Sequence, residues 1–196
     1  MSKLIIGMTG STGAIFGVRL LEALADSDVE THLVVSKWAQ QTIEHETPRT
    51  LDELRDLATE IYSSGDMGAK VSSGSFHTDG MVVVPCSMRS VAAIAHGNGD
   101  HLVHRAADVI LKERRKLVLV ARETPLSSIH LENLLKLSRM GVTILPPVPA
   151  FALKGLLGEF SDVLVRGQKV VPARLLEQGF VFEFPEIGAA YAELLQ

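Results

Sequence analysis

The chain has 196 residues, of which 46% are hydrophobic, with a formal charge of −4 and one cysteine. That suits one α/β domain with a large core. It gives no footing for nucleic acid or an anionic membrane, and it excludes an internal disulfide, as befits a reducing cytoplasm. No apolar run nears the roughly 18–20 residues of a membrane span, and the chain enters a strand at once without a signal peptide.

Residues 3–8 read as a strand buried on both faces, as in a parallel sheet. Gly7-Met8-Thr9-Gly10-Ser11-Thr12-Gly13 follows and opens into a helix whose Ala14, Val18, Leu21 and Ala25 share a stripe. A strand, a glycine–hydroxyl turn and a helix N-terminus together suit a phosphate, held by the free N–H groups of the first helical turn. Val29 to Val35 is the second strand. A dinucleotide fold places an acidic residue near its end for a ribose hydroxyl; here stands Ser36, which argues against NAD.

A helix over 39–46 and an acidic connecting segment over 51–61 come next. Residues 63–78, rich in Gly and Ser, form a long loop and a candidate lid. Met81 to Val84 is a strand that leads into Cys86-Ser87-Met88-Arg89-Ser90, with Ser87 capping a helix closed by Gly97. This is a second hydroxyl-rich turn at the sheet edge where open α/β folds bind ligands. A helix over 105–115 places Arg105, Asp108 and Lys112 on one face, with Arg114, Arg115 and Lys116 read as solvated. The strand 117–121 delivers Arg122 and Glu123 at its C-terminal end. A helix over 127–140, with Leu131, Leu134 and Leu135 on one face, precedes a last strand at 142–145. Cys86 reads as a core residue, and His96, His101 and His104 lack the neighbours of a zinc site.

The runs GMTGSTGAIFGVRLL, ETHLVVSKWA, SSGSF, PCSM, RAADVILKERRKLVLVARETPL and IHLENLLKLSRMG resemble the UbiX/Pad-type flavoproteins, the flavin prenyltransferases, over about residues 3–151. The resemblance implies a Rossmann-like three-layer α/β/α fold with a mostly parallel sheet. It implies FMN as cofactor and transfer of a dimethylallyl group from dimethylallyl phosphate to reduced FMN. The prenylated FMN would serve a UbiD-type aromatic acid decarboxylase. Carried over by position, it assigns FMN to Gly10, Ser11, Thr12, Ser36, Ser87, Met88, Arg89, Ser90 and Arg122. Lys112 and Arg122 would stand near the phosphates, and Glu46 and Glu123 near the reacting flavin edge. Lysine and arginine there would offset charge on a departing phosphate. Family members form trimer-based dodecamers with the site between subunits, so a homo-oligomer is implied. No metal is expected.

Residues 1–196 read as a single flavoprotein domain with an atypical tail after 151. The family continues with a tyrosine and later an arginine of the dimethylallyl phosphate site; here Ala152 and Gln168 stand there. The tail instead resembles the C-terminal segment of epimerase-like extended short-chain dehydrogenases. Weakened prenyl transfer is the expected result. Three other readings stand beside this one. An NAD(P)-dependent epimerase would need Tyr-x-x-x-Lys, whereas Asp66 and Leu195 lie four residues after the two tyrosines. A cysteine-decarboxylase-type flavoprotein would need an Asn-containing Pro-x-Met-Asn signature. A non-catalytic FMN-delivery subunit of a decarboxylase system would share the same FMN pocket.

Overall fold

Alternation of buried residues along the first strand sets the layers. In a computed structural model that describes residues 2–147, β1 (Ser2–Met8) sends Ile5 to one face of a sheet and Ile6 and Met8 to the other. The remaining elements are α1 (Ala14–Ala25), β2 (Val29–Val35), α2 (Lys37–Glu46), α3 (Leu51–Leu57), β3 (Glu60–Ser63), β4 (Gly80–Cys86), α4 (Met88–Ala95), α5 (Leu102–Lys112), β5 (Lys116–Ala121), α6 (Ser128–Arg139) and β6 (Thr143–Ile144). All strand pairs are parallel, in the order β3-β2-β1-β4-β5-β6. Residues of α1, α2 and α3 pack with Ile6, Met8, Leu33 and Val35, and those of α4, α5 and α6 with Ile5, Val34, Met81 and Leu119. The Rossmann-like three-layer expectation therefore holds. No helix among the described residues is long and apolar enough to cross a membrane.

Several local expectations change. The 51–61 segment is not a mere connection. Thr50 and Glu53 form a reciprocal capping box that starts α3, and Glu60–Ser63 is the edge strand. The 63–78 segment is not a lid. It is the crossover from β3 to β4, with a 3-10 turn at Lys70–Ser72 and with Ala69 and Val71 buried in the core. Arg115, read as solvated, binds it: Nη1 donates to the Phe76 carbonyl and Nη2 to the Gly74 carbonyl, both at 2.8 Å. On α6 the buried residues are Asn133 and Leu137, whereas Leu131 and Leu135 are exposed. Ala25 also faces solvent. Gly97 and Gly141 adopt the positive φ expected of residues that end helices. The tail positions Ala152 and Gln168 lie outside the described residues.

Candidate active site

β1 is flanked by β2, to which it leads, and by β4, reached much later in the chain. The crevice past the C-terminal ends of β1 and β4 is thus the point where strand order reverses, the place where such sheets bind ligands. Thr9 ties the two strand ends together. Its hydroxyl donates to the Pro85 carbonyl at 2.9 Å and accepts from the Ser87 N–H at 2.8 Å, and the side chain is buried.

The cleft there has a volume of about 230 Å³. Thr9 and Gly10 from the end of β1, Ser36, Lys37 and Trp38 from the start of α2, and Ser87, Arg89 and Ser90 from the start of α4 line it. Ser64 and His101 complete the wall. Ser36 caps α2 by accepting from Ala39 N–H, and Ser87 caps α4 by accepting from Ser90 N–H. Two helix N-termini therefore open on one cleft, with Lys37 and Arg89 beside them and no carboxylate among the described residues that line it. That is an anion site by dipole and by charge. Gly10 is required by space: a β-carbon there would come within 3.0 Å of the Trp38 carbonyl carbon and nearer still to the Trp38 Cβ.

The α1 N-terminus behaves differently from expectation. Gly13, at φ 109°, turns the chain into the helix. The N–H groups of Gly13 and Ala14 donate to Glu46 Oε2 at 2.8 and 2.9 Å. A carboxylate of the chain itself thus holds the first-turn donors assigned to a phosphate. Ser11 is half-buried and Thr12 exposed on the adjoining turn.

The cationic and acidic residues assigned to catalysis do not all meet in one protomer. Arg122 and Glu123 are exposed just past β5, on the same edge of the sheet as the cleft. Lys112 is at the other end of α5. That helix begins next to His101 at the cleft and rises about 1.5 Å per residue over 11 residues, so Lys112 emerges at the opposite edge of the sheet, next to Gly74 and paired with Glu113. Met88 packs partly into the core and Arg89 is exposed in the cleft.

Behind the cleft lies a buried polar set. Ser90, 3% exposed, turns its hydroxyl inward, 3.1 Å from Ser87 Oγ and 3.0 Å from His104 Nε2. His104 is 1% exposed, and its ring stacks on His101 at 3.7 Å between centroids. Burial, followed by the neighbouring His101, pushes the His104 imidazole down to about 4. Cys86 is buried as expected, which pushes its thiol up to about 12. Thr9, Lys37, Trp38, Ser64, His101 and His104 carried no site assignment from sequence. Only the threonine ending β1 and the Ser-Lys-Trp helix start stood where such a signal could be read.

A protein-family model described as Flavoprotein matches residues 1–165. The curated relative "Probable UbiX-like flavin prenyltransferase" of Bacillus subtilis (strain 168) is 64% identical over 149 residues, 76% of this chain and 73% of that one. The chain belongs to the UbiX-like flavin prenyltransferases. Two solved structures of the family superpose with a TM-score of 0.76. AnUbiX (PadA1), in complex with FMN and dimethylallyl pyrophosphate, is 53% identical and covers 84% of this chain and 87% of its own. The dodecameric FMN-dependent UbiX-like decarboxylase from Escherichia coli O157:H7 is 54% identical, covering 94% and 97%. A second model, described as a domain of unknown function (DUF1731), matches residues 148–194, so the tail is distinct from the family core.

Proposed function

We propose that this protein is a flavin prenyltransferase that takes FMN into the cleft between β1 and β4 and transfers a dimethylallyl group to it from dimethylallyl phosphate. The observation that carries this reading is the convergence of two open helix N-termini, Lys37 and Arg89 on one cleft with no carboxylate among the described residues that line it. The FMN phosphate rests on the Ser36–Lys37–Trp38 start of α2, with Gly10 giving the close approach and Ser11 and Thr12 at the rim. Ser87, Met88, Arg89 and Ser90 line the other side. Reduced FMN supplies the nucleophilic ring atoms that receive the dimethylallyl group. Arg122 offsets charge on the departing phosphate, and Glu123 handles a proton near the reacting edge. Glu46 holds α1 in place at the cleft. The product serves a UbiD-type decarboxylase, and the enzyme works in the cytoplasm.

Lys112 cannot serve its own cleft from the far edge of the sheet. We assign it to the cleft of a neighbouring copy in a homo-oligomer, as in a dodecamer like that of the Escherichia coli relative. With Ala152 and Gln168 in the tail, turnover is slower than in the family at large.

Anaerobic incubation with reduced FMN and dimethylallyl phosphate, followed by mass spectrometry of the extracted flavin, should show one added dimethylallyl unit. Lys112→Ala should lower the rate by about one to two decades, the value of one charge-assisted contact. Gly10→Val should lose FMN. Oligomers re-assembled from both variant chains should regain activity, because some clefts then pair an intact Gly10 with a neighbour's Lys112. Activity no greater than the sum of the separate variants would place Lys112 elsewhere, and an unmodified flavin from the native chain would overturn the transferase reading.

A further inference from the structure

Near the N-terminal ends of β1, β2 and β3, the end of the sheet remote from the cleft, His32 is fully buried among charged partners. Its Nε2 lies 2.9 Å from Glu30 Oε1, and its Nδ1 lies 2.9 Å from the Tyr62 hydroxyl. Glu30 also pairs with Lys3 of β1 at 2.8 Å, and Glu60 pairs with Lys70 of the 3-10 turn in the crossover. Those two lysines hold both carboxylates below the usual range, so both are ionised. An ionised carboxylate only accepts, so Nε2 carries the ring proton of His32. The neutral ring then offers Nδ1 as a lone pair, and the Tyr62 O–H donates to it. Burial and then Glu60 push the Tyr62 phenol up, so that proton stays on Tyr62.

A further proton can enter His32 only at Nδ1, where Tyr62 already donates. Two donors cannot share that link, so the hydroxyl must turn, accept from Nδ1–H and aim its own proton elsewhere. Glu60 is the acceptor at hand, with Oε2 3.9 Å from His32 Nδ1. The new cation also enters a place that already holds two. Lys3 and Lys70 lie 5.2 and 5.5 Å from the Phe76 ring centroid, and that ring meets His32 edge-on at 4.9 Å. The Lys3 backbone is fixed in β1, between β2 and Asp79. Lys70 is on the crossover, outside the sheet, and its side chain is 46% exposed, so it is the member that gives way. We propose that His32 and Tyr62 form an acid-operated latch on the β3–β4 crossover. Proton uptake at His32 Nδ1 turns the Tyr62 hydroxyl toward Glu60, and Lys70, repelled by the imidazolium and in competition for Glu60, loosens its turn from the edge strand. One proton is gained, and the new N–H is the one covalent change. The latch involves no ligand, so it stands apart from the flavin reading. The crossover lies against Lys112 at Gly74, so the latch acts at the edge of the sheet that carries that lysine.

Nitrogen NMR of histidine-labelled protein should show His32 as the neutral Nε2–H tautomer near neutral pH. In acid both nitrogens should carry protons, at a pH below the ordinary 6.5 because burial lowers the imidazole. Amide exchange reads the crossover itself through Ser72, Ser73 and Phe76, whose N–H groups bond within it. From about pH 7.5 to about pH 5, their exchange should speed up by about tenfold relative to β1 and β4, once the intrinsic effect of pH is removed. Lys70→Met should show the fast crossover already at the higher pH, with no further change in acid. His32→Gln keeps an N–H for Glu30 and an acceptor for Tyr62 but takes up no proton, so its crossover should stay slow at both. An Nδ1–H tautomer at neutral pH, or crossover exchange that tracks β1 and β4 throughout, would overturn the latch. So would an acid response that survives in His32→Gln. The native chain and Lys70→Met decide the matter if His32→Gln does not fold.

Discussion

Glu46 Oε2 accepts two backbone N–H groups across 32 and 33 residues of chain, and this takes up two first-turn donors of α1. The turn looked open because the partner comes from the end of another helix, and no local spacing announces a tertiary cap. Ser36 and Ser87, by contrast, were legible as caps. Each sits directly between an apolar strand and a helix, and its bond is local. Replacing Glu46 by alanine should cost about 1 kcal/mol, the usual value of a lost N-terminal cap. Urea unfolding would measure it. FMN affinity should stay within about threefold of native on the proposed placement of the phosphate at the start of α2. A tenfold loss of FMN with unchanged stability would return Glu46 to the flavin edge.

At the level of elements, the parallel strands were readable because they are apolar runs bounded by turn residues. The errors gather between β2 and β4. β3 has four residues, with Glu60 half-buried and Ser63 exposed at its ends, too short for alternation to speak. The crossover over 64–78 lacks a helix, so its Gly and Ser content resembles a mobile loop. It is held by contacts from Arg115 and Lys3, remote in sequence, and by others nearer at hand. Besides Arg115, Lys70 pairs with Glu60, and both Lys3 and Lys70 lie over the Phe76 ring at 5.2 and 5.5 Å. Arg115→Ala removes two donors and strands two carbonyls. Amide exchange over residues 73–77 should speed up by about tenfold or more, with exchange in β1 and β4 unchanged. Uniform acceleration throughout the sheet would mean that the clasp is part of the global fold. On α6, three leucines within five residues left the facing side ambiguous; Leu134 packs partly against the core beside the buried Asn133 and Leu137, while Leu131 and Leu135 face out.

Across the whole molecule, stability should depend on acidity through buried imidazoles. Burial lowers His32 and His101, and takes His104 to about 4, against an ordinary 6.5. Such groups stay neutral in the fold, while the unfolded chain takes up protons below 6.5. Their contribution is complete above that value and is lost as pH falls from 6.5 toward 4. Glu22, Glu30 and Glu60 are lowered by Arg49, Lys3 and Lys70 respectively, so they add their own loss only below about 4.5. The urea midpoint should therefore fall between pH 6.5 and 5, above the range in which Glu22, Glu30 and Glu60 add their loss, and His104→Gln should flatten that slope. A midpoint constant over this range would mean that the imidazoles charge freely.

The Thr9 clasp also orders events in time. Its partners, Pro85 and Ser87, lie 76 and 78 residues further along the chain. During synthesis, β1 can pair with β2 as soon as the first βαβ unit has emerged, but its other edge waits until β4 exists. The wall made by Gly10 and the Ser36–Lys37–Trp38 helix start can form with that unit, whereas the wall made by Ser87, Arg89 and Ser90 has to wait for β4, so the cleft is complete only after Thr9 closes its clasp. Closing so long a loop is a slow step in folding. An unpaired β1 edge is exposed until then, and the interval before β4 docks is when the nascent chain is most open to pairing with the wrong strand.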